Sequence, residues 1–181
     1  MKKVVSGLAA LLVSGSTVLA SGGWGVYGAY WDTKDGGDGI GPGLRLSLPV
    51  VPEFHVEFRT AYIGNFDRAR NDLEVIPLEV SGLFRFDLTD SLVGHAGLGV
   101  GYYLMSGGWT WQDAANKASA DNDVGLFGLL GLEYAWNQDL GLFIEGKYIS
   151  LDAKKGRTVG NEIRTLDLDG LGLNIGFMLR W

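Results

Sequence analysis

Ile76 to Met105 reads IPLEVSGLFRFDLTDSLVGHAGLGVGYYLM, two alternating runs joined by a polar turn at Thr89-Asp90-Ser91. In the first run Ile76, Leu78, Val80, Gly82, Phe84 and Phe86 alternate with Pro77, Glu79, Ser81, Leu83, Arg85 and Asp87. In the second, Leu92, Ala96, Leu98, Val100, Tyr102 and Leu104 alternate with Val93, His95, Gly97, Gly99, Gly101, Tyr103 and Met105. A period of two means a strand with two unlike faces. One face is continuously apolar. The other mixes charge with glycine, unlike the solvent side of a soluble sheet. The runs exceed the usual length of about five or six residues and match the roughly nine to eleven that cross a bilayer at a tilt. The hairpin predicts a transmembrane β-barrel with lipid outside and a polar, filled lumen inside.

The same alternation recurs on both sides of it. Trp24 to Asp32 gives a first strand, and Asp35 to Gly39 a Gly/Asp turn. Ile40 to Val50 gives a second, with Leu44, Leu46 and Leu48 against Arg45 and Ser47, ended by Pro49 and Pro52. Phe54 to Asn65 is the third, and the quoted hairpin supplies two more. Ser106 to Asn122 is the longest connection, with room for one helical turn around Ala114 to Ala118. Val124 to Trp136 and Leu140 to Leu151 follow, joined at Asn137-Gln138-Asp139. The last strand ends Leu171, Leu173, Ile175, Phe177, Leu179, Trp181. Leu166 and Leu168 have the opposite parity, which predicts a bulge or break at Gly170. The result is an all-β, eight-stranded, antiparallel up-and-down barrel with both termini at one end.

The chain has 181 residues, enough for one domain. Residues 1–20 read as a signal peptide and residues 21–181 as the barrel. Lys2 and Lys3 precede an apolar core, Val4 to Val13, and Val18-Leu19-Ala20 offers a cleavage site. Without the two lysines, thirteen basic residues face twenty-one acidic ones, a net charge of −8. That balance argues against nucleic acid as a partner. There is no cysteine, so an exported fold must be held by its own architecture, which a closed barrel provides.

Trp and Tyr favour the two membrane interfaces. Tyr30, Tyr62, Tyr102 and Tyr148 fall near the upper strand ends; Trp24, Phe54, Phe84, Phe86, Tyr134, Trp136 and Trp181 fall on the lower rim. A soluble lipocalin-like barrel has the same alternation with inside and outside exchanged. It would place Glu57, Arg59, Glu79, Arg85, Glu145 and Lys147 in water. The two aromatic girdles and the sparsely charged, glycine-rich polar face favour the membrane.

The segments IPLEVSGLFRF and LVGHAGLGVGYY resemble the central hairpin of the outer-membrane β-barrel family of the OmpA transmembrane domain, OmpX, OmpW and the neisserial opacity proteins. The resemblance covers nearly the whole chain after residue 20. It implies a monomer in the bacterial outer membrane, in contact with membrane lipid and lipopolysaccharide. It also implies recognition of the C-terminal strand by the barrel-assembly machinery, with Trp181 where phenylalanine is more usual. Members include anchors, adhesins, small channels and enzymes, so the fold alone assigns no role.

The lumen face collects Arg45, Arg59, Arg85, Lys147 and Arg180 against Glu57, Glu79, Glu133 and Glu145, with Asp87 the candidate fifth carboxylate. Five against five suits a satisfied ion-pair network, since a lone buried charge is costly. The network reads as a polar plug or as a charged, gated pore, and eight strands leave room for little beyond side chains. Inward Gly97, Gly99 and Gly101 make room for large neighbours. His55 and His95 sit low on the lumen face and join the network. A lipid A-modifying enzyme would need its base near the upper rim. Asp32, Asp35 and Asp38 miss the spacing of a calcium loop and read as a solvated turn. Trp109 and Trp111 are placed to touch lipopolysaccharide or a partner, or to cap the barrel mouth. No cofactor or metal motif stands out. The reading is a non-enzymatic barrel with a structural, surface-contact or adhesion role. The alternative is a narrow channel for small apolar solutes leaving sideways through the wall, as the OmpW resemblance implies.

Overall fold

Buried and exposed residues alternate without a break along Gly23–Thr33, and nearly so along the seven strands that follow it around the barrel. The computed structural model describes residues 22–64, 66, 73–106, 108–109, 118–119, 122–153 and 166–181. The barrel strands are β1 (Gly23–Thr33), β2 (Gly37–Val51), β3 (Phe54–Ala61), β4 (Glu74–Asp87), β5 (Leu92–Ser106), β6 (Asp123–Ala135), β7 (Leu140–Ser150) and β8 (Gly170–Arg180). Each pairs antiparallel with the next, and β8 returns to β1 from Gly23↔Arg180 to Thr33↔Gly170, closing the sheet. The decisive hairpin holds one register from Glu74↔Ser106 to Asp87↔Val93. Closure leaves no free sheet edge, which a chain without cysteines needs.

The outer wall is apolar: Leu98, Leu126 and Leu130 are 77%, 66% and 64% exposed, whereas Glu57 and Glu133 are 0% exposed. This is the reverse of a soluble barrel, so the lipocalin alternative is excluded.

Several boundaries depart from the sequence reading. The first turn is only Lys34 to Gly36, and β2 begins at Gly37, not at Ile40. Gly37 has φ 83°, a left-handed backbone that glycine enters without steric cost, which lets the turn be this tight. β3 stops at Ala61, not at Asn65; beyond it only single bridges, Ile63↔Val75 and Ile40↔Gly64, continue the wall. Pro77 explains the interruption. Val75 exchanges both backbone bonds with Ile63 at 2.8 and 2.9 Å, so two residues on Pro77 turns toward Ala61 with no N–H to donate. The predicted break at Gly170 is present: β8 starts there, and Leu166–Asp167 pair instead with Asp152–Ala153. Of the helical turn expected around Ala114 to Ala118, only Ala118 is described, and it pairs with Trp109. Residues 1–20 and Trp111 lie outside the described residues.

The interior has two zones. Charged side chains fill the half nearer the termini. The half nearer the long loops is capped by Trp31, Ile63, Phe66, Leu73, Val75, Met105, Leu151 and Leu168, all buried. The polar, filled lumen expected from the alternation carries its buried charges nearer the termini, with apolar side chains above them. Alternation tells which face a residue takes but not its height along the barrel.

Candidate functional site

Two carboxylates act as hubs. Glu145 of β7 accepts from Arg59 Nη1 and Nη2 at 2.6 Å each, from Arg45 Nη1 at 3.0 Å, and lies 2.8 Å from His95 Nε2. Glu133 of β6 accepts from Arg180 Nε and Nη2 at 3.0 and 2.7 Å and from Arg85 Nη2 at 3.0 Å, with Arg45 Nη2 at 3.6 Å. Arg45 ties the hubs together and approaches Glu57 at 3.3 Å, while Arg59 Nε also bonds Glu57. Higher up, Lys147 Nζ donates to both oxygens of Glu79 at 2.7 and 2.9 Å, and the Tyr103 hydroxyl donates to Glu79 at 3.1 Å. Alternation of a strand sends every second residue inward, which is how side chains from seven strands meet. Such pairs repay their desolvation only with good geometry, and the fork of Arg59 on Glu145 has it.

The nine residues Arg45, Glu57, Arg59, Glu79, Arg85, Glu133, Glu145, Lys147 and Arg180 are all buried and all ion-paired. Asp87 is a correction: it is exposed at the rim, because β4 ends there. Five buried cations therefore face four buried carboxylates among the described residues.

Sequence reasoning missed three features. Ser47 Oγ and His55 Nδ1 lie 3.0 Å apart, a cross-strand pair that neither segment announces alone. Arg45 sits 4.0 Å over the Phe143 ring, and Lys147 sits 5.2 Å over Phe127. The signal for these was available, since parity already put both aromatics on the charged face. The inward glycines take up the bulk of their neighbours: a Cβ on Gly97 would strike Leu83, one on Gly99 Phe127, and one on Gly101 Tyr103 and Glu79.

Chemically, this arrangement holds the wall and offers little space. Ser47 and His55 resemble a nucleophile and base, yet both are 0% exposed. The void beside Trp31 and Lys147 is about 10 Å³, room for roughly one water. Asp32 and Asp38 face each other across the first hairpin, while Asp35 accepts from the Asp167 backbone N–H at 3.1 Å. The tyrosines Tyr30, Tyr62, Tyr102 and Tyr148 are exposed on the outer wall, as are Trp24, Phe84, Tyr134, Trp136 and Trp181.

These features define a class by fold: a small, closed, eight-stranded up-and-down barrel with an oily wall and an ion-paired interior. Solved outer-membrane barrels share the fold. Neisserial surface protein A superposes with a TM-score of 0.62 at 12% identity, covering 88% of this chain and 95% of that one. OprG of Pseudomonas aeruginosa gives 0.61 at 18%, covering 90% and 97%. Ail, the attachment invasion locus protein of Yersinia pestis, in complex with a heparin analogue gives 0.60 at 14%, covering 89% and 98%. No family model and no curated protein matches the sequence.

Proposed function

We propose that the chain is a monomeric protein of the bacterial outer membrane, non-enzymatic, with a structural, surface-contact or adhesion role. Residues 1–20 serve as a signal peptide, and residues 21–181 form the barrel. The observation that carries this reading is the filled interior of the described residues, a buried charged network below and a buried apolar cluster above. The exposed tyrosines near the loops and the tryptophans near the termini mark two interfaces, with lipid between them and lipopolysaccharide on the loop side. Trp181 closes the strand that the barrel-assembly machinery reads. Arg45, Arg59, Arg85, Lys147 and Arg180 with their glutamates act as the plug. The attachment named for the Yersinia pestis neighbour supports a contact role. Planar-bilayer recording tests the reading: purified protein gives no conductance steps. Regular steps that disappear in Arg59→Ala or Glu79→Ala overturn it.

A second reading rests on Pro77. The rung missing toward Ala61 lies against the small void, which both residues line. A narrow path there would pass small apolar solutes sideways into the membrane. Vesicles carrying the protein would then take up such a solute faster than empty ones, and Pro77→Val, which supplies the absent N–H, would abolish the gain. Equal uptake with and without protein removes this reading.

A further inference from the structure

Trp31 on β1 and Asn174 on β8 are diagonal neighbours across the closing seam, Trp31 opposite Gly172 and Asn174 opposite Ala29. Both side chains are buried, at 1% and 2% exposure. Trp31 Nε1 and Asn174 Nδ2 have no hydrogen-bond partner among the described residues. Both residues line the same void of about 10 Å³, together with Lys147, Tyr27, Ala61 and Pro77. A buried donor left unmatched forfeits its solvation without return, so two on one void call for an acceptor.

The chemistry of the lining selects the acceptor. Trp31 and Asn174 offer N–H groups, and Lys147 lines the same void; its ammonium gives two hydrogen bonds to Glu79 and has one N–H more to give. The Tyr27 hydroxyl already donates to the Thr60 carbonyl at 3.2 Å. Apart from Tyr30, whose ring is exposed on the outer wall, the other side chains on the void are aliphatic, such as Ala29, Ile63 and Ile149. A water would bring two hydrogens to side chains that chiefly donate. An anion needs donors alone. The buried interior carries five cations against four carboxylates among the described residues, so one negative charge is electrostatically welcome. The volume suits one monatomic occupant.

We propose that this void is a binding site for a single halide-sized anion, chloride in ordinary buffers, held by Trp31 Nε1 and Asn174 Nδ2 with the Lys147 ammonium beside it. The site is independent of whether the barrel serves contact or transport.

Bromide is the probe. Crystals of the refolded barrel grown with sodium bromide show an anomalous peak within hydrogen-bond reach of both nitrogens. In detergent, the thermal midpoint of the wild type rises with chloride relative to isethionate at equal ionic strength, because a ligand of the folded state alone stabilises it. Asn174→Leu and Trp31→Phe each lose both the peak and the chloride dependence. Trp31→Phe keeps a ring in place and removes only the donor side of the indole, so it serves if Asn174→Leu folds poorly. Density without anomalous signal means water and overturns the proposal. A bromide peak with no chloride dependence in solution means an adventitious ion only, and overturns it too.

Discussion

Arg59 of β3 and Glu145 of β7 form a two-armed fork across the full width of the barrel, 2.6 Å on each arm, from strands four apart in a closed ring of eight. A contact between opposite walls braces the sheet where neighbouring-strand ladders cannot. Removing one partner strands the other: Glu145→Gln leaves Arg59, Arg45 and His95 around a neutral amide. The expected cost is about 3–5 kcal/mol, as for other broken buried pairs. Glu74→Gln, whose hydrogen-bond partners among the described residues are the exposed Tyr62 and Ser106, should cost roughly 1 kcal/mol or less. Urea titration in lipid vesicles, read by the gel shift between folded and unfolded barrel, compares the two. Equal midpoints for both variants would show that the fork braces nothing.

Gly131 should tolerate far less than Gly28. An added Cβ at Gly131 would lie 2.5 Å from His95 Nε2 and 2.6 Å from Glu145 Cγ, inside the network. At Gly28 the nearest atom would be 4.0 Å away, and the position faces out. Gly131→Ala is expected to cost about 1–3 kcal/mol by overpacking, and Gly28→Ala close to nothing. The same urea assay reads both. A tolerant Gly131 would mean that the interior has slack beyond the void beside Trp31.

Alternation made the barrel readable because each strand shows its parity within its own ten or so residues. It named the inward charges from Arg45 to Arg180 without any knowledge of partners. Partner identity and height were hidden, since both depend on how strands are sheared against one another. Thus Asp87 has the right parity for the lumen but sits at a strand end, where inward and solvated coincide. Leu151 and Leu168 lie just outside the barrel strands, yet they are buried in its apolar cap; the alternation ran through both but gave neither a height. Pro77 was visible as a residue, but the rung it removes became visible only with Ile63 and Val75 in place.

Tryptophan fluorescence can test which side meets lipid. Trp24, Trp136 and Trp181 are 47%, 65% and 64% exposed on the outer side, whereas Trp31 is 1% exposed within. In vesicles of brominated lipid, single-tryptophan variants retaining Trp24, Trp136 or Trp181 should be quenched strongly, and one retaining Trp31 weakly. Strong quenching of Trp31 alone would invert the barrel and remove the membrane assignment with it.

The first turn is joined to the last loop by Lys34, whose ammonium donates to Asp167 Oδ2 above the membrane-spanning part of the wall. That hydrogen bond holds the Asp167 carboxyl below the usual aspartate range and raises the Lys34 ammonium above the usual lysine range. For Asp167 the folded value lies below the unfolded one of about 3.9. Its contribution is therefore complete above that value and fades as pH falls through the lowered one. For Lys34 the contribution is complete below about 10.4 and is lost as pH rises through the raised value. The pair should be constant across neutral pH and fail only at the two extremes. Because Lys34 is exposed and backbone bonds from Lys34 to Asp169 and Asp35 to Asp167 hold the same junction, global unfolding should hardly move. Carbon-detected NMR of the Asp167 carboxyl should give a midpoint below that of an ordinary aspartate, returning to the ordinary range in Lys34→Met. An unchanged midpoint in that variant would mean that the backbone of the junction, not the ammonium, sets the acidity of Asp167.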